Sequence, residues 1–257
     1  MRIPKKIHYT WFSTDAFPEE IKKCVDTWRK FLPDYEFILW DYDKVQNIEN
    51  RFLQEALNAK KWAFAADFVR IYAVHNEGGI YLDTDVYIYN NFEAFRNDDC
   101  FIGRENSFHK IKMDYCVFLT AHCFGGVAGN PFLRKCLQYY SDRSFILSTE
   151  NSLPDELRYD QKTLPFIQAI LAADFGFDWV YKHNKKSVHN SLTIYPSSYF
   201  DATHISPETV CKHLALGAWR DDEITGEKIT FFYKMEWRLI KLLDSFLKKF
   251  SYMIVKF

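Results

Sequence analysis

Asp83 and Asp85 flank Thr84 directly after the apolar run Ile80-Tyr81-Leu82. Two carboxylates at i and i+2 behind a buried strand are costly to place unless a cation or polar ligand shares the site. The pair therefore points to a divalent cation and a nucleotide diphosphate. Upstream, Asp67 and Arg70 stand three residues apart on a predicted helix, so they share a face. On a solvated surface such a pair is worth little, but apolar residues surround both here. A half-buried carboxylate and guanidinium side by side are suited to gripping sugar hydroxyls. Trp11 and Phe12 close the first predicted strand with flat surfaces that either stack on a nucleobase or pack into the core. His213 ends a short strand-like run and reads either as a metal ligand or as a structural histidine.

These residues need elements to position them. Trp62–Asn91 (WAFAADFVRIYAVHNEGGIYLDTDVYIYNN) supplies most of them. Ala63, Ala66, Val69, Ile71, Tyr72, Ala73 and Val74 make an apolar stripe of helical period, and Gly78-Gly79 end it. A short buried strand then runs into the aspartates. Residues 3–12 predict an opening strand, Pro18–Phe31 an amphipathic helix with Glu19 and Glu20 at its positive end, and Tyr35–Trp40 a second strand. Strand, helix, strand in that order favours a parallel sheet with a right-handed crossover. Asn50–Ala59 predicts a short helix. Val86–Tyr89, Phe101–Glu105, Tyr115–Thr120, Trp179–Tyr181 and Leu192–Tyr195 predict strands, and Pro131–Asp142 and Asp160–Ala173 helices. Ala121–Asn130 reads as a glycine-rich loop without P-loop spacing, and Ser144–Tyr159 as a mobile polar loop over a site.

At 257 residues, with 48% hydrophobic and 26% charged residues, the chain suits one large α/β domain with a tail. A net charge of −1 lacks the broad basic surface that nucleic acid requires. Six cysteines without CxxC spacing read as reduced, buried thiols rather than a zinc site or disulfides. No secretory leader and no run of membrane-spanning length is expected. From Lys228 to Phe257 the character changes. Met235, Leu239, Leu242, Leu243, Phe246, Phe250, Met253, Ile254 and Phe257 fall on one helical face, and Lys234, Arg238, Lys241, Lys248 and Lys249 on the other. Seven basic residues oppose two acidic ones there. This basic amphipathic helix (228–257) is expected to lie on an anionic membrane surface, with docking on the domain or a dimer contact as the rivals.

Three segments, IPKKIHYTWF, AADFVRIYAVHNEGGIYLDTDV and HLALGAW, together resemble glycosyltransferase family 32, the DXD-containing sugar transferases. The middle segment is also similar to the glucosyltransferase domain of large clostridial toxins. The resemblance spans roughly residues 3 to 220 and implies a GT-A type α/β fold, a single Rossmann-like mixed sheet flanked by helices over 1–227. It implies that Trp11 stacks on the donor base, that Asp67 and Arg70 hold the donor sugar, and that Tyr81 sits against the nucleotide. Asp83 would reach the ribose or metal, Asp85 would ligate Mn²⁺ or Mg²⁺, and His213 would complete the metal or diphosphate site. Trp219 falls in the family's C-terminal Gly-Ser-Trp, which here is Gly217-Ala218-Trp219, without the hydroxyl. Asp160 and Gln161 are further candidates for acceptor or donor-sugar contacts.

The implied activity is a retaining, metal-dependent transfer from a nucleotide sugar. The expected acceptor is a glycan, polyprenyl-diphosphate-linked, in surface polysaccharide assembly at the cytoplasmic face of a membrane. Two alternatives stand beside it. One is a toxin-like protein glycosyltransferase. The other is a phosphatase, because Asp41-Tyr42-Asp43-Lys44-Val45 matches the DxDxV signature of haloacid-dehalogenase-type enzymes. That pentapeptide ends the second strand rather than the first, so a helix cap competes with the phosphatase reading.

Overall fold

The computed structural model describes residues 2–111, 114–178 and 184–217. The expected strand at Trp179–Tyr181, Trp219, the helix at 228–257 and the domain break before it lie outside these residues. Strand β1 (Lys6–Thr10), helix α1 (Glu19–Phe31) and strand β2 (Glu36–Trp40) open the chain. Helices α2 (Tyr42–Val45), α3 (Arg51–Asn58) and α4 (Trp62–Glu77) follow, then β3 (Gly79–Leu82) and β4 (Val86–Ile88). Next come β5 (Cys100–Ile111), β6 (Asp114–Gly126), α5 (Pro131–Tyr139), α6 (Asp155–Arg158) and α7 (Leu164–Ala172). Strands β7 (Ser187–His189) and β8 (Leu192–Tyr195), helix α8 (Ser197–Phe200) and β9 (Cys211–His213) complete the order.

Seven strands make one mixed sheet in the order β2-β1-β3-β6-β5-β8-β7. β1 is parallel to both β2 and β3, and β3 is antiparallel to β6. Each face carries its own core. Phe52, Leu53, Val69, Leu133 and Ile167 from α3, α4, α5 and α7 cover one; Ile21, Val25 and Trp28 of α1 with Phe92, Phe101 and Phe200 cover the other. β3 is buried on both faces, Tyr81 facing the first core and Ile80 and Leu82 the second. That is why it reads as an unbroken apolar run. The α/β architecture expected of a GT-A type domain is thus present. Among the described residues no helix is long and apolar enough to cross a membrane. All six cysteines are buried thiols.

The chain passes from β1 outward to β2 and returns to β3 on β1's other side, so strand order reverses between β1 and β3. The crevice at the carboxyl ends of such a pair is where open α/β sheets bind ligands. Two devices hold the opposite end of β3, where the chain enters it. Gly78 and Gly79 take φ of 66° and 121°, values that L side chains rarely adopt, and turn α4 into β3. The buried His8 ring accepts a hydrogen bond from Trp40 Nε1 at Nδ1 (3.1 Å) and donates from Nε2 to Gly78 O (2.8 Å), pinning the turn. Burial holds the His8 pKa below its ordinary value, in keeping with this neutral tautomer.

Two expectations are corrected here. Ala121–Gly126 is not a loop but the end of β6, paired with β3 and β5. Its glycines serve packing: a Cβ on Gly125 would sit 2.5 Å from Phe101 Cε1, and one on Gly126 2.8 Å from Leu133 Cδ1. Ser144–Tyr159 is likewise no free loop. Phe145 is fully buried against Phe52, Phe64 and Tyr159, Ile146 bridges Tyr159, and Asp155 pairs with Lys61 at 2.6 Å. The helix expected from Asp160 begins only at Leu164.

Candidate functional site

Asp83 leaves the carboxyl end of β3, and Asp85 precedes β4. β4 pairs antiparallel with β9, placing Val86 opposite His213. This pairing brings the third candidate ligand back across the chain. The ligand atoms of Asp83, Asp85 and His213 all lie within 4.8 Å of one another. Helix α1 fixes β4 from beneath: Trp28 Nε1 donates to Val86 O (2.7 Å), and Ile88 N donates to Thr27 Oγ1 (3.0 Å).

Asp85 is buried, and its Oδ1 accepts from His213 Nε2 (3.0 Å) while Oδ2 accepts from Leu216 N (3.0 Å). Burial opposes its charge, but the imidazole and these donors hold the carboxyl below its ordinary pKa. His213 shows the converse. Burial works against its proton, yet the Asp85 carboxylate raises its pKa. Two carboxylates and one imidazole are a donor set that suits Mn²⁺ and admits Mg²⁺ through its oxygens. The residues fit a divalent cation.

Arg70 is the hub of the other half. Its Nη1 donates to Asp83 Oδ2 (3.2 Å) and Ala121 O (2.9 Å), its Nε donates to Ala66 O (3.2 Å), and Nη2 lies 3.3 Å from Asp67 Oδ1. Burial opposes the guanidinium charge, and Asp83, Tyr81 and Asp67 outweigh it and keep the group protonated. Asp67 Oδ2 accepts from Leu164 N at the start of α7 (3.2 Å). Trp11 is half-buried just past β1, its ring edge-on to Phe17 and its Nε1 donating to Asp15 O (3.0 Å).

Three sequence readings change in detail. Tyr81 is completely buried; its hydroxyl donates to Asp83 Oδ1 (2.9 Å) and meets Thr10 Oγ1 (2.9 Å). It therefore positions Asp83 from below instead of lying against a nucleotide. Asp160 is buried between Lys162 (2.9 Å) and Arg143 (3.6 Å), so its carboxylate is engaged by side chains, while Gln161 is exposed. At Asp41 the helix-cap reading is the one the structure bears out: just past the sheet's outermost strand, its Oδ1 accepts from Lys44 N (2.9 Å) as the N-cap of α2.

The sequence reading missed Thr10, Ala121 and His122. Ile102 faces Phe124 and Arg104 faces Leu119, so an advance of two residues on β5 is met by five on β6. This bulge is closed by Thr120 Oγ1, which accepts from Gly103 N and donates to Cys123 O, each 3.0 Å. It leaves Ala121 O free for Arg70, while His122 O continues the β3–β6 ladder by accepting from Asp83 N (2.9 Å). A histidine beside a bulge leaves no local pattern, so only the fold shows it.

Burial raises the Asp67 carboxyl to about 6. A carboxyl whose pKa is higher folded than unfolded gives its full stability below the unfolded value and loses it as pH rises through the folded one. In metal-free protein, Asp67→Asn is therefore expected to gain melting temperature relative to the parent as pH rises from about 4 to about 6. A parent that instead gains on the variant would show that Arg70 keeps Asp67 ionised throughout.

Residues 18–107 match the family described as the glycosyltransferase sugar-binding region containing DXD motif. The chain is 36% identical over 144 residues to inositol phosphoceramide mannosyltransferase 3 of Schizosaccharomyces pombe, covering 53% of this chain and 36% of that protein. It is 32% identical over 156 residues to the uncharacterized glycosyltransferase L373 of Acanthamoeba polyphaga mimivirus, covering 58% and 59%. The chain thus spans less than two thirds of either relative. Among solved structures it is similar to PaToxG glycosyltransferase, at TM-score 0.43 and 18% identity over 67% of this chain and 70% of that one. The matched segment carries Asp67, Arg70 and the aspartates of the YLDTD turn, and over it the chain is similar to the DXD-containing glycosyltransferases.

Proposed function

We propose that this protein moves a hexose from a nucleoside-diphosphate sugar to a lipid-linked acceptor, with a divalent cation held by Asp83, Asp85 and His213. The observation that carries the reading is the convergence of those three side chains within 4.8 Å, at the end of the parallel pair β1 and β3. When bound, the cation supplies neutralisation of the charge that develops on the departing diphosphate. The protein's own groups do the rest. Arg70 and Tyr81 hold Asp83 in place, Trp11 offers a ring for the base, and Asp67 with Arg70 grips the sugar hydroxyls. Retention is what the family resemblance implies, and since none of these groups is a free nucleophile it would proceed by front-face attack, with the leaving phosphate accepting the acceptor's proton.

The name of the fission yeast relative joins mannose to inositol phosphoceramide, which makes mannose the first sugar to test and a sugar on a lipid headgroup the first acceptor. The basic segment 228–257 would keep the domain at the cytoplasmic face of the membrane, where lipid-linked intermediates of surface glycans are found.

In a thermal-shift panel of nucleoside diphosphates, Mn²⁺ is expected to raise the melting temperature further when the cognate nucleotide is present. Asp85→Ala should abolish that increment and lower transfer by at least ~10²-fold; an unchanged rate would remove the cation from the reaction. Followed by NMR, the product should keep the donor's anomeric configuration, and an inverted product defeats front-face attack. Replacing Lys241, Lys248 and Lys249 by Glu should release the protein from anionic vesicles with donor hydrolysis intact. A parent that does not bind such vesicles argues for a docked helix, and transfer to protein rather than lipid would favour the toxin-like alternative.

A further inference from the structure

We propose that His122 is a positioning residue that aims the imidazole of His213 at the paired aspartates. The inference rests on the cation reading above. The His122 ring stacks on that of His213 with centroids 4.6 Å apart and planes 14° from parallel. His122 is itself held: it is 6% exposed, and its Nε2–H donates to Phe200 O at 2.9 Å. An imidazole on a strand end is free to turn about its Cβ–Cγ bond, and a fixed flat neighbour at van der Waals distance blocks that turn on one side. The Asp85 contact at Nε2 (3.0 Å) fixes the direction of the ring edge. Metal-ligating histidines take their orientation from such surrounding contacts.

The same residue reaches a second ligand. Its backbone O accepts from Asp83 N (2.9 Å), so one position in the β6 bulge touches ligands that lie 130 residues apart in sequence. The backbone contact survives any side-chain replacement, and the stack does not. This separation makes the ring's role measurable.

Two substitutions divide the possibilities. His122→Gln keeps an N–H for Phe200 O and removes the aromatic face, whereas His122→Phe keeps the face and removes the N–H. With MnCl2 alone titrated into the full chain, the Gln variant should bind about 10- to 100-fold more weakly, and the Phe variant should stay within about threefold of the parent. If the Gln variant binds as the parent does, or the Phe variant is the weaker of the two, the proposal is overturned and His122 merely ties β6 to Phe200. A metal-free readout stands beside it. The His213 Cε1–H resonance should be shifted by the ring current of the stacked neighbour in the parent and in the Phe variant, and relieved in the Gln variant. Should the parent take up no Mn²⁺, the cation reading falls, while this shift still decides whether His122 orients His213; an unchanged shift in the Gln variant refutes the orientation.

Discussion

One buried cation organises the cleft. Arg70 is 6% exposed, and a guanidinium that deep is tolerable only when its donors find acceptors. It meets two carboxylates, Asp67 and Asp83, and two carbonyls, Ala66 and Ala121. Those partners come from α4, the turn after β3, and β6, and Asp67 extends the set to α7 through Leu164 N. The guanidinium also lies over the Tyr81 ring, 4.8 Å from its centroid. Removing the charge would strand two half-buried carboxylates against each other. Helices α4 and α7 and the central strands therefore agree on one geometry at this point.

The second constraint is the bulge of β6. A regular strand would send alternate carbonyls sideways into neighbouring strands. By inserting residues around Thr120–Cys123, β6 frees the Ala121 carbonyl for Arg70, while the neighbouring His122 carbonyl carries the β3 ladder on to Asp83 N. Bulges are a common means of re-aiming groups beside a site. Here the bulge links β6 to Arg70, and through it to Asp67 and Asp83.

Much of this arrangement was legible from sequence because it is local. The helical stripe of α4, the Gly78-Gly79 stop and the apolar β3 before the aspartates are contiguous, so periodicity and spacing expose them. The opening β1-α1-β2 unit was legible for the same reason. What escaped depends on contacts between distant residues. Gly125 and Gly126 carry a turn composition, yet Phe101 and Leu133 are what require them. The pairing of β4 with β9, and with it the position of His213, has no local signature; only the family resemblance pointed there. Ser144–Tyr159 looked irregular because its anchors, Phe52, Glu55 and Lys61, lie about 90 residues upstream.

The short ladder between β4 and β9 also sets when the site can exist. Asp83 and Asp85 are translated long before Cys211–His213, and until β9 leaves the ribosome β4 lacks the partner it has among the described residues. A nascent chain can assemble the main sheet and bury Arg70 while its acidic turn still lacks an imidazole. Convergence of the three side chains thus waits for Cys211–His213.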